Sequence, residues 1–138
     1  MKIENANVLI TGGASGIGKM MGRMALQKGA RTFIIWDINI AAIEATRKEL
    51  SRFGNVKGYI VDVANNDIVN TAYKKTIEEC GDIDILINCA GIITSNKTFD
   101  QQTAEEIVRT MNIKKKQEVT PTCIRLFVTP AGFKPATF

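Results

Sequence analysis

The sequence predicts an α/β fold: a doubly wound parallel sheet, truncated after its fourth strand, in the spatial order 3-2-1-4. Three observations carry that prediction. Four short apolar or β-branched runs alternate with helical segments at short connections, which implies right-handed crossovers and a sheet covered on both faces. The first run passes directly into a glycine-rich turn, Gly12-Gly13-Ala14-Ser15-Gly16-Ile17-Gly18. The second ends on an acid, Asp37, where a sheet of this kind opens its ligand crevice.

The first strand is expected at residues 7–11, apolar enough to be buried on both faces. A helix over residues 17–28 follows, stopped by Gly29. The second strand, residues 32–37, is β-branched and aromatic. Asn39 is a natural N-cap for the second helix. Its apolar residues Ile40, Ile43, Leu50 and Phe53 recur at helical spacing, Glu44 and Lys48 form an i,i+4 pair, and Gly54 ends it. The third strand is expected at 56–63. The third helix, 67–80, should bury Ile68, Val69, Ala72, Tyr73 and Ile77. The fourth strand covers 83–88. A helix from Thr103 to at least Met111 should turn Ile107, Val108 and Met111 inward and leave Glu105, Glu106 and Arg109 on its polar side.

The 138 residues suffice for one domain with a single core. With 45% hydrophobic and 23% charged residues the chain reads as an ordinary globular protein. No apolar run is long enough for a membrane span, and the N-terminus does not read as a signal peptide. Three cysteines at unpaired spacing fit a reducing, cytoplasmic setting. With no histidine, no metal site is expected. The net charge of +4 is unevenly placed. Through Ile113 there are 13 basic and 13 acidic residues; beyond it, five basic residues face one acid, and all three prolines lie there. The composition places a boundary between residues 1–113 and a basic, proline-containing tail, 114–138.

The glycine turn has a chemical meaning. Gly12 turns the chain off the strand, Gly16 lets backbone approach a phosphate, and Gly18 lets the helix pack close to the sheet. The first amides of that helix have no internal partner and lie at the positive end of its dipole, so an anion is well placed there. Asp37 lies 19 residues after Gly18, where a carboxylate can bond both ribose hydroxyls of an adenosine and repel a 2′-phosphate, which favours NAD over NADP. Asp62-Val63, at the end of the third strand, could line an adenine pocket; alone, Asp62 reads equally as a turn residue. Residues 13–19 also fit the start of a P-loop, but that loop next needs Ser or Thr for magnesium, and Met20 stands there.

Thr11-Gly12-Gly13-Ala14-Ser15-Gly16-Ile17-Gly18 resembles the Thr-Gly-x-x-x-Gly-x-Gly signature of classical short-chain dehydrogenases/reductases. Asn88-Cys89-Ala90-Gly91 resembles the family's Asn-Ala-Gly stretch, with Cys89 as a variant residue. Asp62-Val63 resembles its adenine-contacting pair, and Asn112 its helix asparagine. The motifs fall in family order over residues 3–113. The resemblance implies a Rossmann-type fold and NAD-linked interconversion of an alcohol and a carbonyl. It implies that Gly12, Ser15, Gly16, Ile17 and Gly18 cradle the pyrophosphate and that Asp37 and Ile38 flank the adenosine ribose. Asp62 and Val63 would meet the adenine. Asn88, Ala90 and Gly91 would border the nicotinamide-side ribose, and Asn112 would hold a water in the proton relay.

After Ile113 the motifs stop. The family continues to a catalytic Ser and a Tyr-x-x-x-Lys, in which the Tyr is the acid/base. Here the last Ser is Ser95, and the only tyrosines, Tyr59 and Tyr73, are followed four places on by Val63 and Ile77. The cofactor-binding half is therefore expected without the catalytic half, and the isolated chain is expected to be inactive. The alternative is a non-catalytic dinucleotide-binding module or an inactive truncation product. For the tail, a solvated basic extension, an alternative ending that caps the sheet, and a frameshift near Lys114-Lys115-Lys116 are the competing readings. The favoured frameshift predicts the missing motifs in another frame of the genomic DNA. NAD is the expected partner, with a small alcohol or carbonyl substrate only in a full-length parent. Nucleic acid is not an expected partner. A fourth strand left as an edge would expose apolar backbone and favour self-association.

Overall fold

The structure, a computed structural model, describes residues 2–91 and 103–118. The elements run β1 (Asn7–Thr11), α1 (Gly16–Gln27), β2 (Thr32–Asp37), α2 (Ile40–Leu50), β3 (Asn55–Ile60), α3 (Asn66–Cys80), β4 (Ile85–Asn88) and α4 (Ala104–Glu118). The four strands form one sheet in the order β3-β2-β1-β4. Every pairing is parallel, with Asn7 opposite Thr32, Val8 opposite Ile85 and Thr32 opposite Asn55. The expected Rossmann-type sheet is the one observed.

Alternation along the strands divides the core into two layers, because successive side chains leave opposite faces of a strand. Val8, Ile10, Phe33, Ile35, Val56 and Ile85 pack against Ala25 and Leu26 of α1 and Ile43 and Leu50 of α2. Leu9, Ile34, Trp36, Tyr59 and Val61 face the other way, against Val69 and Ala72 of α3. Phe33 and Trp36 are almost wholly buried, each stabilising the fold by roughly 1.5–3 kcal/mol relative to exposure. The Trp36 indole N–H donates to the buried Thr76 hydroxyl at 3.2 Å, which satisfies the one polar atom that ring carries inward. Asn7 ties β4 to β1: its side-chain amide donates to the carbonyls of Cys80 and Asp82, and its backbone N–H to Asp84.

Helix α1 sits close on the sheet because of Gly22. A Cβ there would fall 2.2 Å from the Phe33 ring. Gly18, expected to serve that approach, instead meets the turn itself, since its Cβ would lie 2.4 Å from the Gly12 carbonyl oxygen.

Several expectations are corrected. Ile68 was expected to be buried and is 40% exposed; Ile40, read at helical spacing with Ile43 and Leu50, is 59% exposed while those two are buried. Both lie in the first turn of a helix, at the carboxyl ends of the strands, where the helices overhang the sheet. Ile77 is half-buried, and Thr76 takes the inward place on α3. Val108 and Met111 are exposed on α4. Glu44 pairs with Arg47, at 2.8 Å, rather than with Lys48. β3 ends at Ile60, three residues short of Val63, as the chain leaves the ladder for the turn at Asp62. β4 begins at Ile85. α4 runs beyond Ile113, through the three lysines, to Glu118. The proposed tail beyond residue 118, with Cys123, lies outside the described residues, as does Ser95.

Candidate nucleotide site

A cavity of about 1060 Å³ opens at the carboxyl ends of the strands. That volume suits a ligand of cofactor size. Its floor is the turn from β1 to α1, with Gly12, Ser15, Gly16, Ile17 and Gly18 lining it. Gly12 has φ +66°, and a Cβ there would press to 2.8 Å of the Ala90 Cα. Gly16 has φ +50°, with no protein atom within 4 Å of where its Cβ would stand. The backbone at Gly16 is thus open to whatever enters. Ser15 is the N-cap of α1 with extended backbone, and its side chain makes no capping bond. The first amides of a helix lack intrahelical acceptors, so this end of α1 offers donors and a positive dipole to the cavity.

Asp37 and Ile38 line the same cavity from the end of β2. Each Asp37 carboxylate oxygen accepts one backbone N–H, Oδ2 from Ala14 at 3.2 Å and Oδ1 from Asn39 at 3.1 Å. An ionised carboxylate has about four acceptor positions, so capacity remains toward the cavity. Asp62 and Val63 line the wall beyond β3. Asp62 also accepts the Ala64 N–H at 2.9 Å, so the turn role and the cavity position coexist. Ala90 and Gly91 line the wall after β4. Thr11 holds the start of this stretch, its hydroxyl accepting the amides of Cys89 and Ala90 at 3.1 and 3.2 Å.

Of the residues singled out from sequence, Asn88 does not line the cavity; it closes β4 opposite Thr11. Asn112 falls on α4, and its side chain lies outside the described residues. The cavity has a wall that sequence reasoning missed: Glu105, Val108, Arg109 and Ile113 of α4. Val108, expected in the core, faces this cavity instead. The sequence of α4 carries no local signal of where that helix docks.

Thr46 was also missed. It is 1% exposed on α2 and donates to the Ala14 carbonyl at 2.8 Å. The available signal was a hydroxyl in the apolar stripe Ile43, Thr46, Leu50.

Tyr59 is not at this site. It packs in the α3 layer, where its hydroxyl donates to Glu79 at 2.8 Å and lies 3.5 Å from the Cys80 sulfur. Burial first, then these two contacts, push its pKa far above the ordinary tyrosine value.

The family model described as short chain dehydrogenase matches residues 6–127. The chain belongs to that family. Its sequence is 33% identical over 99 residues to human short-chain dehydrogenase/reductase 3, covering 71% of this chain and 33% of the relative. Among solved structures it is similar to a short chain dehydrogenase from Mycobacterium smegmatis, with a TM-score of 0.76 and 29% identity, over 85% of this chain and 49% of that one. It is likewise similar to the 3-ketoacyl-(acyl-carrier-protein) reductase of Brucella melitensis complexed with NADH. There the TM-score is 0.75 and the identity 26%, over 83% of this chain and 46% of that one. The chain thus spans about a third to a half of the length of these relatives. The family match also continues past Ile113, where the recognisable motifs stop. The family is one of oxidoreductases that use a dinucleotide cofactor. Among the described residues no helix is long and apolar enough to cross a membrane.

Proposed function

We propose that this chain is the cofactor-binding portion of a short-chain oxidoreductase and that it takes NAD in preference to NADP. One observation carries the reading: the Asp37 carboxylate and the amino end of α1 line a single cavity. An acid and an anion-binding helix end in one crevice suit a ligand with ribose hydroxyls at one position and phosphates at another.

The residues present fit that ligand. The backbone around Ser15, Gly16, Ile17 and Gly18 holds the pyrophosphate, with room at Gly16 where a side chain would intrude. Asp37 accepts the adenosine ribose hydroxyls through its remaining lone pairs, and the same charge repels a 2′-phosphate. Ile38, Asp62 and Val63 take the adenine end. Ala90 and Gly91, with Asn88 supporting them, take the nicotinamide-side ribose. The bound dinucleotide supplies a hydride carrier, and the chain's own contribution is to hold and orient it. The Brucella relative's complex with NADH supports the same choice of ligand.

Proton transfer needs a further group. Asn112 would hold a relay water, but the 138 residues contain no Tyr-x-x-x-Lys, and Tyr59 is engaged in the α3 layer. Alcohol or carbonyl turnover therefore belongs to a longer family member, and this chain alone binds without turning over. The alternative, a non-catalytic binding module, shares the binding and differs in having no such parent. Free Cys80 and Cys89 support a reducing cytoplasmic setting. Within the described residues β4 pairs only with β1, which supports self-association along its other edge. Titration with NADH, followed by fluorescence, tests binding, and a turnover assay on simple alcohols tests inactivity. Saturable NADH binding without turnover is expected. No binding would overturn the cofactor reading, and turnover would overturn the inactivity.

A further inference from the structure

We infer that Thr46, remote from any ligand contact, is a positioning residue for the pyrophosphate cradle; the inference rests on the cofactor reading above. Thr46 is 1% exposed and Ala14 is 3% exposed. The Thr46 hydroxyl donates to the Ala14 carbonyl at 2.8 Å, and the Ala14 N–H donates to Asp37 Oδ2 at 3.2 Å. Both polar groups of this one residue are thus held by side chains from other elements.

The consequence follows from peptide geometry. The Ala14 carbonyl and the Ser15 N–H belong to one planar trans peptide and point in opposite directions. With the carbonyl turned inward to Thr46, the Ser15 amide is turned away from α2. Ser15 and Gly16 line the cavity, so the direction of that amide bears on the cradle. Thr46 thereby sets the direction of the first donor of the cradle without reaching the ligand. The bond is buried, so losing it leaves a carbonyl with no replacement from solvent, and the peptide is driven to reorient. Asp37 holds the other end of the residue, so the adenosine end and the phosphate end of the site share one anchor.

The test uses the whole chain with Thr46→Val, which keeps shape and removes the donor, and Thr46→Ser, which keeps the donor. NADH and ADP-ribose are titrated, and adenosine is followed by ligand-observed NMR, which reports weak binding. Thr46→Val should weaken NADH and ADP-ribose about tenfold and leave adenosine within about twofold. Thr46→Ser should restore both phosphate-bearing ligands. Should Thr46→Val fail to fold by circular dichroism, Thr46→Ala, which adds no bulk, carries the same comparison. Unchanged NADH binding in a folded Val or Ala variant overturns the inference. So does an equal loss for adenosine, or a folded Ser variant that restores nothing, since either makes Thr46 merely a packing residue. Failure of the unaltered chain to bind NADH overturns the cofactor reading itself, and this inference with it.

Discussion

Ala14 and Asp37, separated by 23 residues in sequence, meet at 3.2 Å, the amide of the first donating to the carboxylate of the second, and that carboxylate belongs to a residue lining the candidate cavity. The acid at the end of β2 therefore shapes the glycine turn as well as facing the crevice. Its second oxygen accepts the Asn39 amide, just ahead of α2, and Asn39 in turn caps that helix by accepting the Ala42 N–H at 3.1 Å. One carboxylate links turn, strand end and helix start.

Replacing Asp37 should therefore have two effects of different selectivity. Asp37→Ala removes ribose acceptors and also loosens the turn. NAD affinity should fall about tenfold or more, since each hydrogen bond to a charged group contributes about 1.5–3 kcal/mol. NADP should lose less, because repulsion of its 2′-phosphate goes with the carboxylate. Parallel titrations of NADH and NADPH check this, and equal losses would undo the ribose assignment.

Two glycines on α1 should separate binding from stability. Gly22→Ala forces a methyl to within 2.2 Å of the Phe33 ring and should destabilise by about 1–3 kcal/mol or more through overpacking. Gly16→Ala meets no protein atom, so its cost is the positive φ of +50°, about 1–2 kcal/mol. Its methyl would stand beside the cradle, and NADH binding should be the property chiefly lost. Urea melts and NADH titration of both variants distinguish the two roles.

Tyr59 predicts an alkaline limit to stability. Its ordinary pKa is about 10, and burial, then hydrogen bonding to Cys80 and Glu79, raises it in the folded chain. Above pH 10 or so the unfolded chain gives up the proton while the folded chain keeps it. The contribution is full below that pH and lost as pH rises beyond it. Urea melts at pH 8 and at pH 10.5 should show the loss, and Tyr59→Phe should reduce the pH dependence. A Phe variant with the same alkaline loss would show that another group is responsible.

Thr76→Val should cost about 1–3 kcal/mol, because it strands the Trp36 indole N–H in the interior. The measurement is the urea midpoint, with Thr76→Ser expected to recover part of it. A variant as stable as the parent would show that the indole finds another acceptor.

Among the described residues β4 pairs only with β1, and association through its other edge is expected as concentration rises. Analytical ultracentrifugation across the soluble range checks this. A chain that stays monomeric throughout and melts reversibly would contradict it.

Some of this molecule was legible one segment at a time. The bounds of β1 and β2 were read correctly, because continuous β-branched and apolar runs buried on both faces carry their own signal. Asn39 was read as a cap because capping is decided within four residues. The glycine turn and Asp37 were read as cavity residues because the interval between them is set by one helix and one strand. Where a residue's role depends on what another element does, the reading failed. Val108 was sent to the core and instead lines the cavity. Ile40 and Ile68 satisfy helical periodicity, but that period does not say where the sheet beneath them ends.

By itself the sequence determined the strand order, the parallel crossovers and the glycine turn that opens α1, all consequences of short-range periodicity and of chirality acting on each connection. Only the tertiary structure decided that Thr46 and Asp37 hold opposite sides of Ala14, that Gly22 admits Phe33, and that α4 forms a cavity wall. Those depend on residues at least 11 positions apart meeting at a few ångströms, and no local preference of the chain encodes such a distance.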